Sequence, residues 1–126
     1  MPDKAEIEQI EKKFAPVEKL FSEAVKLNEI IEEKDIDRSE DPEGEAYNFL
    51  DYEERYSVLK DIINNWKSEK VRKIGDIDMA GLSGVDDEED LEFDEGDELD
   101  VDFFEEILSD FSDYFRASIK SMQNLL

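Results

Sequence analysis

Catalysis and metal binding need particular side chains, and two of the most useful are missing from this chain. Neither histidine nor cysteine occurs among its 126 residues. Their absence excludes Ser-His and Cys-His couples, thiol nucleophiles, disulfides, cysteine or imidazole zinc sites and proton shuttling by imidazole near neutral pH. What remains is carboxylate: 38 Asp and Glu against 15 Lys and Arg, a formal net charge of −23. Paired carboxylates do acid–base chemistry when two of them sit in contrasting environments. With 38 acids present, spacing alone singles out no pair. A calcium loop needs oxygen ligands at its first, third and fifth positions, glycine at the sixth and glutamate at the twelfth. Placing Gly96 sixth puts Leu91 and Phe93 on ligand positions, so the pattern fails. No phosphate loop, nucleophile elbow or dinucleotide fingerprint occurs either. The expectation is a binding protein that is not an enzyme, with no cofactor and no dedicated metal site.

The charge is unevenly placed. Residues 1–75 hold 20 acidic and 13 basic side chains, a net of −7, whereas residues 76–126 hold 18 acidic and 2 basic, a net of −16. Those 18 acids all lie between Asp76 and Asp113, a stretch without lysine or arginine. Solubility asks for a net charge of magnitude only about 2–8 in a small domain. Each further like charge opposes a compact state that is stable by just ~5–15 kcal/mol. A solvated linker or tail is the plain reading of such a run. Adaptation to high salt fits poorly, since lysine outnumbers arginine by 11 to 4. A surface for a basic partner accounts for more, because aromatic residues (Phe93, Phe103, Phe104, Phe111, Tyr114) are interleaved with the acids. Charge steers association, and buried aromatics hold it. The candidate contact residues are Asp86, Asp87, Glu88, Glu89, Asp90, Glu92, Asp94, Glu95, Asp97, Glu98, Asp100, Asp102, Glu105 and Glu106, with Phe93 and Phe103 as apolar anchors.

Three amphipathic segments must position that surface. In the first, from about Asp3 to Lys34, Ile7, Ile10, Phe14, Val17, Leu20, Phe21, Ala24, Leu27, Ile30 and Ile31 recur at steps of three and four. That is one apolar helix stripe, and its phase survives Pro16, which predicts a kink and not a break. Residues 35–45 read as a loop, with Asp41 and Pro42 as N-cap and first residue of a second helix reaching about Lys73. The stripe of that helix is Phe49, Tyr52, Tyr56, Leu59, Ile63 and Trp66. Trp66 and the cluster from Tyr47 to Tyr56 read as core, not as a ligand pocket. The third helix runs from about Asp102 to Asn124, with Phe104, Ile107, Leu108, Phe111, Phe115, Ile119, Met122 and Leu125 inward and Asp100 or Asp102 as its cap. The fold class expected is mainly α: one domain over 1–126, a three-helix antiparallel bundle with a long acidic, glycine-containing connection over 76–100 before the last helix. The alternation of Leu91, Phe93, Leu99 and Val101 with acids suggests a short β-hairpin near 90–102 within that connection.

In composition and size the chain resembles the nucleic-acid mimics found among phage-encoded inhibitors of restriction, repair and CRISPR enzymes. The resemblance implies a basic partner, a nucleic-acid-binding protein or enzyme, engaged in place of nucleic acid. Direct contact with nucleic acid or an anionic membrane is not expected, since both would repel the chain. The alternatives are a chaperone or adaptor for a basic protein, histone-like or ribosomal, and a structural helical protein that self-associates, for instance as a homodimer. The cytoplasm, or a host cytoplasm for a viral protein, is the compartment these readings imply.

Overall fold

The computed structural model describes residues 3–41, 43–77, 81–82 and 96–126. Three long helices carry it: α1 (Lys4–Glu33), α2 (Glu45–Lys67) and α3 (Val101–Leu125), with single 3-10 turns at Arg38–Glu40 and Ile74–Asp76. α1 begins at a capping box, in which the Asp3 carboxylate accepts from the Glu6 N–H at 2.8 Å and the Glu6 carboxylate accepts from the Asp3 N–H at 3.3 Å. It then runs unbroken through Pro16. Lys12 and Pro16 are both exposed, so the carbonyl deprived of its partner faces water and the break in the ladder costs little.

α1 and α2 end in the same way. At the end of α1, Ile36 N–H donates to the Ile31 carbonyl and Asp35 N–H to Glu32, with Asp35 at φ 53°. After α2, Lys70 N–H donates to Asn65 and Glu69 N–H to Trp66, with Glu69 at φ 64°. Both are Schellman closures in which an acidic residue takes the left-handed position usually given to glycine. This corrects the expected end of α2 at Lys73. The helix stops at Lys67, and Lys70, Arg72 and Lys73 lie in the segment beyond it. Its start also differs. Gly44 at φ 74° is the N-cap, and the Asp41 carboxylate accepts from Glu43 N–H at 3.2 Å and Ala46 N–H at 2.9 Å. Hydrogen bonding to the Ala46 amide is the main reason that Asp41 is held below the ordinary aspartate pKa. Arg38 fastens the intervening turn by donating to the Ala46 carbonyl at 3.1 Å and to the side chain of Asn28.

The contacts between helices fix their directions. Phe14 and Phe21 on α1 face Tyr56 and Phe49 on α2, an antiparallel order. Phe49, Tyr56 and Trp66 on α2 meet Phe115, Phe111 and Phe104 on α3, also antiparallel. Phe21 meets Phe115, and Gln9 bonds Glu105, so α1 and α3 run parallel. The result is an up-down-up three-helix bundle. Rings fill the space between α1 and α2: Phe21 stacks on Tyr56 with centroids 4.2 Å apart, and Phe14 stacks on it at 5.7 Å. Ion pairs Glu11–Lys67 (3.0 Å) and Glu18–Lys60 (3.8 Å) lie over the same seam. Every member of the expected α2 stripe is buried, as are Phe104, Ile107, Leu108, Phe111, Phe115 and Met122 of α3. Tyr47 departs from the core reading; it lies off the stripe and is 64% exposed.

One polar atom in the core is out of place. The Tyr56 side chain is 1% exposed and its hydroxyl has no hydrogen-bond partner among the described residues. Burial pushes its ionisation well above the usual tyrosine range. A buried hydroxyl without a partner carries a desolvation cost of about 1–3 kcal/mol. Tyr56→Phe is therefore expected to raise the unfolding free energy by about 1 kcal/mol in a urea titration.

Candidate partner-binding surface

The acidic end of the molecule is built on the start of α3. The Asp100 carboxylate accepts from the Phe103 N–H at 2.8 Å, which starts the helix one residue earlier than expected and leaves Asp102 free of capping. From there the 3.6-residue period sends Phe103, Phe104, Ile107, Leu108, Phe111 and Phe115 inward. The same period sends Asp102, Glu105, Glu106, Asp110 and Asp113 to the opposite face. Among these, Glu105 is half-buried against α1 and accepts from Gln9 Nε2 at 2.7 Å. Arg116 meets Asp113 at 4.0 Å and closes the row.

Beside this row lies a hollow of about 300 Å³ lined by Asp97, Glu98, Asp100, Asp102 and Glu106, with Ile74 and Phe103 as its apolar surfaces. Its carboxylates all lie within residues 97–106, while Ile74 comes from the segment after α2, and backbone hydrogen bonds hold the two pieces together. Ile74 N–H donates to the Asp97 carbonyl at 2.9 Å, and Leu99 N–H donates to the Arg72 carbonyl at 2.7 Å. Between them Lys73 and Glu98 form an antiparallel bridge. Ile74 and Leu99 are buried, so the clip is fixed to the core. The two ends of the acidic connection are thus fastened to each other. Leu82, inside the connection, is also buried. This clip replaces part of the expected hairpin: Leu99 pairs with the segment after α2, and Val101 opens α3. The partner strand proposed at Leu91 and Phe93 lies outside the described residues.

The sequence-derived contact residues divide accordingly. Asp86, Asp87, Glu88, Glu89, Asp90, Glu92, Phe93, Asp94 and Glu95 lie outside the described residues. Asp97, Glu98, Asp100, Asp102 and Glu106 are brought together around the hollow, and Glu105 flanks them. Phe103 does not serve as a projecting anchor. It is 3% exposed and packs edge-on against Phe104 with centroids 5.3 Å apart. Phe104 and Phe111 are likewise buried, and Tyr114 stacks on Tyr52 at 4.6 Å. The rings between the acids hold the helix to the core. Ile74, a wall of the hollow, was not legible in the sequence, because only the clip brings it to α3.

The geometry sets limits on what the hollow can take. Among the described residues, no lysine or arginine makes an ion pair with Asp97, Glu98, Asp100 or Asp102. No group of three acidic side chains among those residues is gathered closely enough to hold a metal ion. No described helix is long and apolar enough to cross a membrane. The arrangement suits a cationic group, which can place its charge among the carboxylates, while Ile74 and Phe103 close the hollow from beneath and stay buried. No family model matches the chain, and no curated protein or solved structure shows significant similarity to it.

Asp76 holds the clip from outside. Its carboxylate accepts from the amides of Lys73 at 3.1 Å and Arg72 at 3.2 Å, and these bonds hold it below its ordinary value of 3.8. A depressed folded-state pKa stabilises the charged form, so the contribution is complete above pH 3.8 and is lost as pH falls through the lower folded value. Asp76→Ala is expected to speed hydrogen exchange at the amides of Arg72 and Lys73 at neutral pH. The wild-type protein should lose that protection only on acidification below the ordinary aspartate value.

Proposed function

We propose that this chain is an acidic binding protein that occupies a basic, nucleic-acid-binding surface of a partner protein and so competes with nucleic acid. The observation that carries this reading is the convergence of five carboxylates on one hollow, on backbone fixed by a helix cap and a clip. The adjoining face of α3 supports it. Five acids from Asp102 to Asp113 lie on 12 residues of helix, whose 11 steps cover roughly 16 Å at ~1.5 Å each, or about one charge every 3–4 Å. One strand of duplex DNA presents a phosphate about every 3.4 Å. A groove lined with Lys and Arg at phosphate spacing would therefore meet carboxylates at a similar density. The most concrete form of the proposal is an inhibitor of the kind phage direct against restriction or CRISPR enzymes.

A labelled duplex held by a basic histone-like protein tests this in solution. Added protein should release the duplex at low salt, and its direct affinity for the basic protein should fall steeply as salt rises. A variant carrying Asp97→Asn, Glu98→Gln and Asp102→Asn keeps the Asp100 cap and should need at least about tenfold more protein for the same release. Absence of release at low salt from every basic nucleic-acid-binding protein tried would sink the proposal. A partner that is bound yet still delivered to the duplex would point instead to a chaperone or adaptor.

A further inference from the structure

The folded core takes in almost every large apolar side chain that the structure describes. Three remain exposed among the described residues: Tyr47 at 64%, Leu50 at 39% and Leu126 at 47%. Tyr47 and Leu50 stand three residues apart on α2 and so project side by side. With Asn48, Asp51 and Glu54 they line a shallow hollow of about 250 Å³. Leu50 and Trp66 are separated by 16 residues of one helix, so this face stands roughly 24 Å along α2 from the acidic end. The arrangement is an apolar centre with an acidic rim, and Asp51 is oriented by an ion pair with Arg55, whose guanidinium lies over the Tyr52 ring.

We propose that the Tyr47–Leu50 face of α2 is a second docking surface, occupied by an amphipathic segment of a partner protein that carries an apolar side chain between lysines or arginines. Charge complementarity selects this occupant. Glu54 on the rim, with Asp51 beside its Arg55 partner, offers carboxylate oxygen to a cation, and the apolar centre needs an apolar side chain to cover it. A second copy of the chain would bring another net charge of −23 against the first. Tyrosine is enriched among the residues that dominate interface energies, since its large ring is ordered at little entropic cost. This surface does not depend on the acidic hollow of α3 binding anything.

Two synthetic peptides of equal charge test it, a helical Lys/Leu/Trp peptide and a Lys/Ser peptide with the same number of lysines. Binding is followed by amide chemical shifts in the native chain and in a Tyr47→Ser, Leu50→Ser variant, both positions being exposed. The amphipathic peptide should shift residues 47–54 and bind the variant at least about tenfold more weakly, while the Lys/Ser peptide should bind both alike. Equal binding of the amphipathic peptide to both chains, or shifts confined to residues 97–106, would overturn the proposal. So would a native dimer in sedimentation that the variant makes monomeric. Failure of the Lys/Ser peptide to shift residues 97–106 would count against the acidic hollow alone.

Discussion

Everything in this molecule depends on a cluster of stacked and edge-on rings that three helices share. Tyr56 sits at its centre, with Phe14 and Phe21 of α1 on one side and Phe111 and Phe115 of α3 on the other. A chain with a net charge of −23 has a constant tendency to expand. Two charges at 4 Å repel by about 1 kcal/mol in water, and salt screens the more distant pairs beyond roughly 8 Å. Burying one large apolar side chain returns about 1.5–3 kcal/mol. The repulsion is spread over the surface and the rings are concentrated in one place, so the core can keep its shape while the exterior stays strongly negative.

That core also gives the charge a fixed form. α3 has two uses at once: the side that carries its phenylalanines locks it against α1 and α2, and the opposite side holds the row of acids. Asp100 belongs to both, since it caps the helix and lines the hollow. The clip between residues 72–74 and 97–99 extends the same control to the ends of the acidic connection. A solubility tail would need neither device. The proposed mode of binding follows from this difference, because a partner lined with cations would meet carboxylates already placed and would order few of them on contact.

The helices were readable because their apolar residues keep a 3.6-residue phase over roughly five to seven turns, and phase is a property of the sequence alone. The departures have local causes. The end of α2 was hidden because Glu69, not glycine, adopts the left-handed conformation that stops it. The three-residue alternation of Leu99 and Val101 was too short to distinguish a strand from a helix cap, and the pairing of Leu99 with Arg72 spans 27 residues of sequence. Phe103 looked like an anchor because it stands between acids. It is buried because the inward face of α3 is broad enough to include positions 103 and 104 together. The exposure of Tyr47 and Leu50 was partly legible, since both fall outside the stripe through Phe49, Tyr52 and Tyr56, but the pull of aromatic residues towards the core masked it.

The central claim is that folded placement, and not charge alone, makes this surface fit a basic groove. It can be tested by separating the two. Replacing Phe49 and Phe115 by alanine removes two fully buried rings at about 3–5 kcal/mol each, enough to unfold a domain of ordinary stability without altering its charge. The unfolded chain, verified by loss of helical circular dichroism, is then compared with the native one for displacement of a duplex from the same basic protein at equal salt. The unfolded chain is expected to compete at least about tenfold more weakly; equal competition by the two chains would mean that charge alone suffices.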